Sequence, residues 1–160
     1  MRSVGVTGVG LWTPGLPGAG AFFDDREDPE ATRPGATLLD GALRRRATPL
    51  TRMGIEVMHQ ATSMAATELS TLPSVWATDN GEHSVAIDLL GMMQRGEGKL
   101  SPTKFHNSVH NTASGYASIA TGNHAPSTTL TGGSELAASA LLEALCMVDL
   151  LERDVLLVLA

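Results

Sequence analysis

The sequence predicts an α/β protein with a mostly parallel sheet that is covered by helices. Short apolar segments typical of strands alternate with longer segments in which apolar residues recur at helical spacing. Strands separated by helices run parallel in most proteins. The segment 154–160, DVLLVLA, is apolar throughout, as expected of a strand buried on both faces of such a sheet. The 160 residues suffice for one ordinary domain.

The first half of the chain predicts two strands and two helices. Residues 3–12 alternate β-branched and small residues and predict a strand. A long Pro/Gly-rich and acidic connection, residues 13–36, follows it. Residues 51–69 carry apolar side chains near helical spacing and predict an amphipathic helix. Residues 73–79 predict a strand that ends in the turn signal Asp-Asn-Gly, and residues 84–95 predict a second helix.

The second half predicts further alternation. Residues 101–111 are expected to be extended or irregular, because a proline constrains their backbone. Residues 112–122 predict a helix of small residues that permits close approach of another backbone. Residues 127–131 predict a strand, residues 134–152 the longest and most apolar helix, and residues 154–160 a final buried strand.

Composition excludes several classes of protein. Apolar residues make up 42% and charged residues 18%, which is typical of a folded chain. The net charge of −6 argues against a nucleic-acid partner. No apolar run is long enough to span a membrane and no secretory signal is evident, so we expect a cytoplasmic protein. The single cysteine, Cys146, permits no disulfide within the chain.

The segment 43–52, LRRRATPLTR, is the one dense basic patch in the sequence. We interpret it as a solvated face, since clustered charges on a folded protein usually lie in water. Contact with an anion or with an acyl carrier is the alternative.

The segment 127–145 has the arrangement that many enzymes use to present a nucleophile: a strand, an elbow of small residues and a helix. The elbow consists of Gly132, Gly133, Ser134 and Glu135. Unpaired amides and the dipole at a helix N-terminus favour negative charge at such a turn. The two glycines can adopt positive φ angles and leave space beside the backbone.

Ser134 has two interpretations. As a helix cap, its hydroxyl would accept from the amide of Leu136 or Ala137. As a nucleophile, it would belong to a partial match to the esterase motif G-x-S-x-G, in which Leu136 replaces the last glycine. A serine nucleophile needs a base, and the sequence does not indicate which histidine would lie near; the candidates are His59, His83, His106, His110 and His124.

The cluster FHNSVHN, residues 105–111, allows a metal hypothesis. His106 and His110 would share a face if this segment were helical, but no third ligand is evident. We therefore expect its Asn and His side chains to bind main-chain groups in a buried turn. No metal and no cofactor are predicted.

Residues 101–144, from SPTKF to LLEA, resemble the N-terminal half of a β-ketoacyl synthase. The segments 4–15, 44–65 and 154–160 resemble the first strand, the first long helix and the strand after the nucleophile helix of that family. The likeness covers nearly the whole chain and is dense from Phe105 to Ala144. The positions that match its ordered pattern are Ser101 to Phe105, Asn111, Gly115, Ile119, Ala120, Ala125, Pro126, Ser127, Glu143 and Ala144.

The resemblance implies a thiolase-like fold of two similar halves. Residues 1–160 would be one domain, the first half, truncated relative to the full pair. The family's nucleophilic cysteine is missing. Its position corresponds to Ser134 if residues are counted back from Glu143, and to Gly133 if they are counted forward from Thr131. Cys146, far into the helix, cannot substitute for it. The family's catalytic histidines belong to the second half.

Members of this superfamily without the cysteine, called chain-length factors, pair with an active ketosynthase in type II polyketide and aryl polyene systems. The resemblance therefore implies a non-catalytic subunit whose partners are an active ketosynthase and an acyl carrier protein. Gly132, Gly133, Ser134 and Glu135 would face the acyl substrate. Family sheets join edge to edge, which would place Ser114, Thr128, Thr129 and Leu130 at the interface. The alternative is an acyl transferase or hydrolase that uses Ser134.

Overall fold

In the computed structural model, which describes residues 3–160, the three strands found form one parallel sheet. They are β1 (Ser74–Thr78), β2 (Ser127–Thr131) and β3 (Leu156–Leu159), in the order β2–β1–β3. The helices of the described chain are α1 (Ala19–Phe23), α2 (Gly41–Arg46), α3 (Pro49–Ala65), α4 (His83–Gln94), α5 (Pro102–His106), α6 (Thr112–Thr121) and α7 (Leu136–Leu151). A 3₁₀ turn, Leu69–Thr71, precedes β1.

The central strand is β1, and its register aligns Ser74 with Ser127 on one side and with Leu156 on the other. All of its residues are buried, because strands lie on both sides of it and helices on both faces. The outer strands β2 and β3 are the edges of the sheet. Each is only partly buried.

Alternate residues of β1 point to two separate cores. Trp76 belongs to the core that α3 and α6 cover, together with Ile55 and Tyr116. Val75 and Ala77 face the other way and pack with the buried side of α7. The predicted α/β fold, a parallel sheet with helices on both faces, is confirmed.

The long helix α3 begins two residues before the predicted start. Thr48 is its N-cap and accepts from the amide of Thr51 at 3.0 Å, and Pro49 occupies the first helical position. This combination of cap and proline favours a helix start. The helix ends at Ala65 and is followed by the C-cap residue Ala66, whose φ of 50° is left-handed.

The predicted first strand, residues 3–12, is wrong. The segment pairs with no strand of the described chain and runs against α3 instead, where the amide of Leu11 donates to Oε1 of Gln60 at 3.1 Å. Gly8 and Gly10 allow this contact, since a Cβ at either would collide with the backbone of α3. The alternating pattern is strand-like, but a strand also needs a neighbour with free hydrogen-bonding groups.

The expectation of irregular backbone over residues 101–111 is wrong at its start. Pro102–His106 form α5, whose N-cap Ser101 accepts from the amide of Lys104 at 3.4 Å. Pro102 begins this helix, because a proline at the first helical position loses no hydrogen bond. The final strand is shorter than predicted, and its last residue, Leu159, is exposed.

None of the helices in residues 3–160 is long and apolar enough to cross a membrane.

Candidate functional site

The elbow, residues 132–135, joins the carboxyl end of β2 to the start of α7. The strands are parallel, so the carboxyl end of β1 lies at the same edge of the sheet. An open groove of about 500 Å³ lies at this edge. Its lining residues are Ala77, Asp79, Gly133, Ser134, Leu136, Ala137, Leu159 and Ala160. Ligands of open α/β sheets bind outside the carboxyl ends of the strands, which makes this groove the candidate site.

The two glycines of the elbow leave the predicted space but lack the predicted backbone conformation. A Cβ on Gly133 would meet no atom within 4 Å, and one on Gly132 would make only ordinary contact with Leu136, at 3.8 Å. Neither glycine has a positive φ angle. The elbow therefore turns without left-handed residues, and the small side chains open the groove.

The prediction that Ser134 caps the helix is wrong. The helix begins at Leu136, its N-cap residue is Glu135, and no side chain caps it. The amide of Leu136 instead donates to the carbonyl of Gly133 at 3.0 Å, which closes a tight turn. Ser134 therefore lies one residue too early to reach the first helical amides, and its side chain is exposed in the groove.

Ser134 has no histidine beside it in the groove, since none of the lining residues is a histidine. His59 lies 3.4 Å from the hydroxyl of Thr37, and the ring of His106 lies 6.1 Å from that of Tyr116. His110 packs against Gly81. The acidic group in the groove is Asp79, whose carboxylate accepts from Nδ2 of Asn80 at 2.9 Å.

Cys146 is exposed on α7 and lies ten residues beyond the start of that helix. At 1.5 Å per residue, it stands about 15 Å from the elbow along the helix axis. The amides and dipole of the helix N-terminus act within the first turn, so they do not activate this thiol.

The neighbouring loop, residues 79–82, is anchored by a buried carboxylate. Glu82, which is 4% exposed, accepts hydrogen bonds from the hydroxyls of Thr48 and Thr51 at the start of α3. Burial raises the pKa of Glu82, although the two hydroxyls oppose this effect. Gly81 has a φ of 54° and presses against His110. We call residues 79–82 the anchored loop; it fixes the position of Asp79.

The polar cluster of residues 105–111 supplies a second buried anchor. Asn107 is buried, and its Nδ2 donates to the carbonyl of Arg46 at 2.7 Å while its Oδ1 accepts from the hydroxyl of Tyr116 at 3.2 Å. The prediction that this cluster binds main-chain groups is confirmed for Asn107. Among residues 3–160, no group of three potential ligands is placed to hold a metal ion.

The residues predicted at an interface lie on or beside the open edge of the sheet. The hydroxyls of Ser114 on α6 and Thr129 on β2 share a hydrogen bond at 3.1 Å. Leu130 and Thr128 point to the other face, where Leu130 packs with the α7 core. Ser74 donates to the hydroxyl of Ser127 at 3.0 Å. The structure thus brings the four residues to one edge; their contact with a partner stays a prediction.

The arginines of the basic patch, residues 43–52, fall into two groups, one hydrogen-bonded within the chain and one exposed. Arg44 donates to the carbonyl of Leu39 at 2.9 Å, and Arg52 donates to the carbonyl of Arg44 at 2.5 Å. These two arginines tie α2 to its surroundings. Arg45 and Arg46 are exposed.

Sequence reasoning missed Asp79, Ala77, Leu159 and Glu82. The first three line the groove because parallel strands end at one edge, a signal that was present in the predicted topology. Glu82 had no local signal, because its partners lie 31 and 34 residues earlier in the chain.

The parallel sheet between helices, with an elbow at its carboxyl edge, defines an α/β fold. The family model for the β-ketoacyl synthase N-terminal domain matches residues 24–160, so the chain belongs to this family. The predicted family is confirmed.

A solved structure supports the same fold. A chain from the complex of a ketosynthase (ApeO) with its chain length factor (ApeC), from Xenorhabdus doucetiae, aligns with a TM-score of 0.70 at 19% identity. The alignment covers 90% of the present chain but 60% of that chain. At this identity the likeness shows the fold. Comparison with curated protein sequences finds no match.

Proposed function

We propose that this chain is a non-catalytic, chain-length-factor-type subunit that pairs with an active β-ketoacyl-ACP synthase. The pathway class would be fatty acid, polyketide or aryl polyene biosynthesis, with an acyl carrier protein as the second partner. Residues 1–160 would act as a single domain. The observation that carries the proposal is an elbow that keeps the strand, turn and helix but contains no thiol.

The chemistry of the groove supports a role without catalysis. A condensing site needs a nucleophile that is activated where it stands, and a serine needs a base within hydrogen-bond reach. Ser134 has no histidine in its groove, and Cys146 lies about 15 Å away along α7. The open space beside Gly133 can accept an apolar chain, because Leu136, Ala137 and Leu159 line it.

The open edge of β2 supports pairing with another sheet. The amide of Ser74 donates to the carbonyl of Pro126 at 3.0 Å. Bonding groups alternate in direction along a parallel strand, so the N–H and C=O of Thr129 point away from β1. An edge with free backbone groups is a template for strand pairing. The similar structure from Xenorhabdus doucetiae is a ketosynthase in complex with its chain length factor.

The test is co-expression with the cysteine-bearing ketosynthase encoded nearest to this chain, followed by size-exclusion chromatography and analysis of product length. We expect one co-eluting complex and a changed product length when the chain is deleted. A chain that never co-elutes and whose deletion leaves the products unchanged would contradict the proposal.

Two matched proline variants locate the interface. Thr129→Pro removes an outward donor from the β2 edge, whereas Leu159→Pro removes one from the opposite edge, since the amide of Ala160 donates inward to Ala77 at 2.8 Å. We expect Thr129→Pro to abolish co-elution and Leu159→Pro to retain it. Thermal unfolding of both variants checks that each still folds. Loss of the complex in both, or in Leu159→Pro alone, argues against the β2 edge.

An acyl transferase or hydrolase that uses Ser134 is the alternative function. It requires covalent labelling of Ser134 by a serine-directed phosphonate, lost in Ser134→Ala. We expect no labelling, since the groove supplies no histidine as a base.

A further inference from the structure

A small, largely enclosed cavity of about 50 Å³ lies at the amino end of the sheet. The first residues of the three described strands line it: Ser74 of β1, Ser127 of β2 and Leu156 of β3. Because the strands are parallel, this end is opposite to the carboxyl end, where the elbow and its groove lie. The cavity is therefore separate from the candidate site.

The helix α6 forms another wall of the cavity. The residues of α6 that line it are Ser114, Ala117, Ser118 and Thr121. They recur at intervals of three and four, which places them on one face of the helix. Their side chains are short, and three of the four carry a hydroxyl. This face of α6 therefore leaves a gap beside the sheet and brings polar groups to it.

On the strand side, a chain of hydrogen bonds ends at the cavity. Nε1 of Trp76 donates to Oγ of Ser74 at 3.0 Å, and Ser74, which is 8% exposed, donates in turn to Oγ of Ser127 at 3.0 Å. A hydroxyl carries one proton. No acceptor for the proton of Ser127 is found within residues 3–160. The strand side therefore offers the cavity a hydrogen-bond donor.

On the helix side, the hydroxyls have already used their protons. Oγ of Ser118 donates to the carbonyl of Asn123 at 2.6 Å, and Oγ1 of Thr121 donates to the carbonyl of Ala117 at 2.8 Å. A hydroxyl oxygen that donates in this way keeps its lone pairs. The helix side therefore offers the cavity hydrogen-bond acceptors.

We propose that this cavity is a hydration site for one or two ordered water molecules, which link α6 to the first residues of β1 and β2. Water both accepts and donates, so it pairs with Ser127 on one side and with Ser118 or Thr121 on the other. A water molecule takes up about 30 Å³ in the liquid, so the volume limits the site to one or two. An apolar occupant would leave both sides unpaired.

A crystal structure of the full chain, at a resolution that shows ordered water, is the direct test. We expect water within hydrogen-bond reach of Ser127 and of Ser118 or Thr121. The same crystals are then exposed to xenon under pressure, because dry apolar cavities bind xenon. We expect no xenon at this position. Xenon in the cavity, or the absence of water that contacts both sides, overturns the proposal.

Matched valine variants provide a second test in solution. Thr62 on α3 makes the same bond as Thr121, since its Oγ1 donates to the carbonyl of Met58, four residues earlier, at 2.8 Å. Thr62 does not line the cavity. Thr62→Val and Thr121→Val thus lose equivalent helix bonds, but only Thr121→Val also removes an acceptor for water.

We expect Thr121→Val to lower the Tm by about 2–4 °C more than Thr62→Val does. An equal or smaller decrease for Thr121→Val would mean that the cavity is dry or that its water does not bind this hydroxyl, and it would contradict the proposed link. Both tests use the chain by itself. Their failure is therefore distinct from failure of the proposed function.

Discussion

The anchored loop and the elbow follow adjacent parallel strands, yet they are held in different ways. The anchored loop is fixed by Glu82, a buried carboxylate that accepts from Thr48 and Thr51, and by Gly81 in a left-handed conformation. The elbow has exposed residues, no side-chain cap and glycines with ordinary φ angles. The anchored loop is stabilised by side chains of the same chain, whereas the elbow is exposed and has no such side-chain contacts.

The difference shows where the stability of this edge originates. Buried hydrogen bonds to a carboxylate stabilise strongly, and their partners are costly to leave unsatisfied. The anchored loop thus positions one wall of the groove, and the elbow forms the other without the contacts of an activated nucleophile. Substitutions at matching positions can test this contrast.

The largest effect is expected from Glu82→Ala. This change leaves the hydroxyls of Thr48 and Thr51 without their acceptor in a buried site, and we expect a loss of about 3 kcal/mol in the free energy of unfolding. Urea denaturation measures it. A loss below about 1 kcal/mol would mean that the loop is not anchored by this carboxylate.

A smaller loss is expected from a methyl group at Gly81. Its φ of 54° disfavours alanine, and the new Cβ would lie 3.1 Å from Cα of His110, so Gly81→Ala should cost about 1–2 kcal/mol. Gly133→Ala is the matched control. The new Cβ meets open space, so the free energy of unfolding of this variant should stay within about 0.5 kcal/mol of the wild-type value. Equal effects at both glycines would remove the contrast.

The pH dependence of stability provides a third test. Burial raises the pKa of Glu82 in the folded state above the ordinary value of 4.5, so the folded state binds this proton more tightly than the unfolded state. Stability contributed by this group is therefore greatest at low pH and falls as pH rises through the raised pKa. Glu82→Gln lacks this titration. Denaturation at several pH values should show the wild type losing stability relative to Glu82→Gln as pH rises; the opposite slope would contradict the burial argument.

The smallest effect is expected at Ser134. Its hydroxyl caps no helix, so Ser134→Ala should change the free energy of unfolding by less than about 0.5 kcal/mol. Thr48→Ala serves as the positive control, because Thr48 caps α3 and also donates to Glu82, so it should cost about 2 kcal/mol or more. Differential scanning calorimetry of both variants compares them. A Ser134→Ala cost as large as that of Thr48→Ala would restore the cap prediction.

Local patterns predicted most of the scaffold. The helix α3 has a sustained apolar period, and the strands β1 and β2 are short β-branched segments between turn signals, so their types were predicted correctly. Residues 3–12 have an equally good strand pattern but pair with no described strand. Pairing depends on what lies alongside, and no local pattern reports that.

The site was predicted less completely than the scaffold. The elbow and its openness follow from Gly132 and Gly133, because small residues between a strand and a helix indicate such a turn. Because α7 begins two residues later than predicted, Ser134 is not its N-cap residue. Glu82 escaped prediction because its burial depends on residues more than 30 positions away.

The sheet has only three strands in the described chain, and both of its edges are unpaired. Unpaired edges of this kind are templates for pairing with other chains, including aggregation, and proteases remove molecules that stay unfolded or aggregated. We therefore expect the cellular amount of this polypeptide to follow the supply of whatever protects those edges, so that copies made in excess are short-lived.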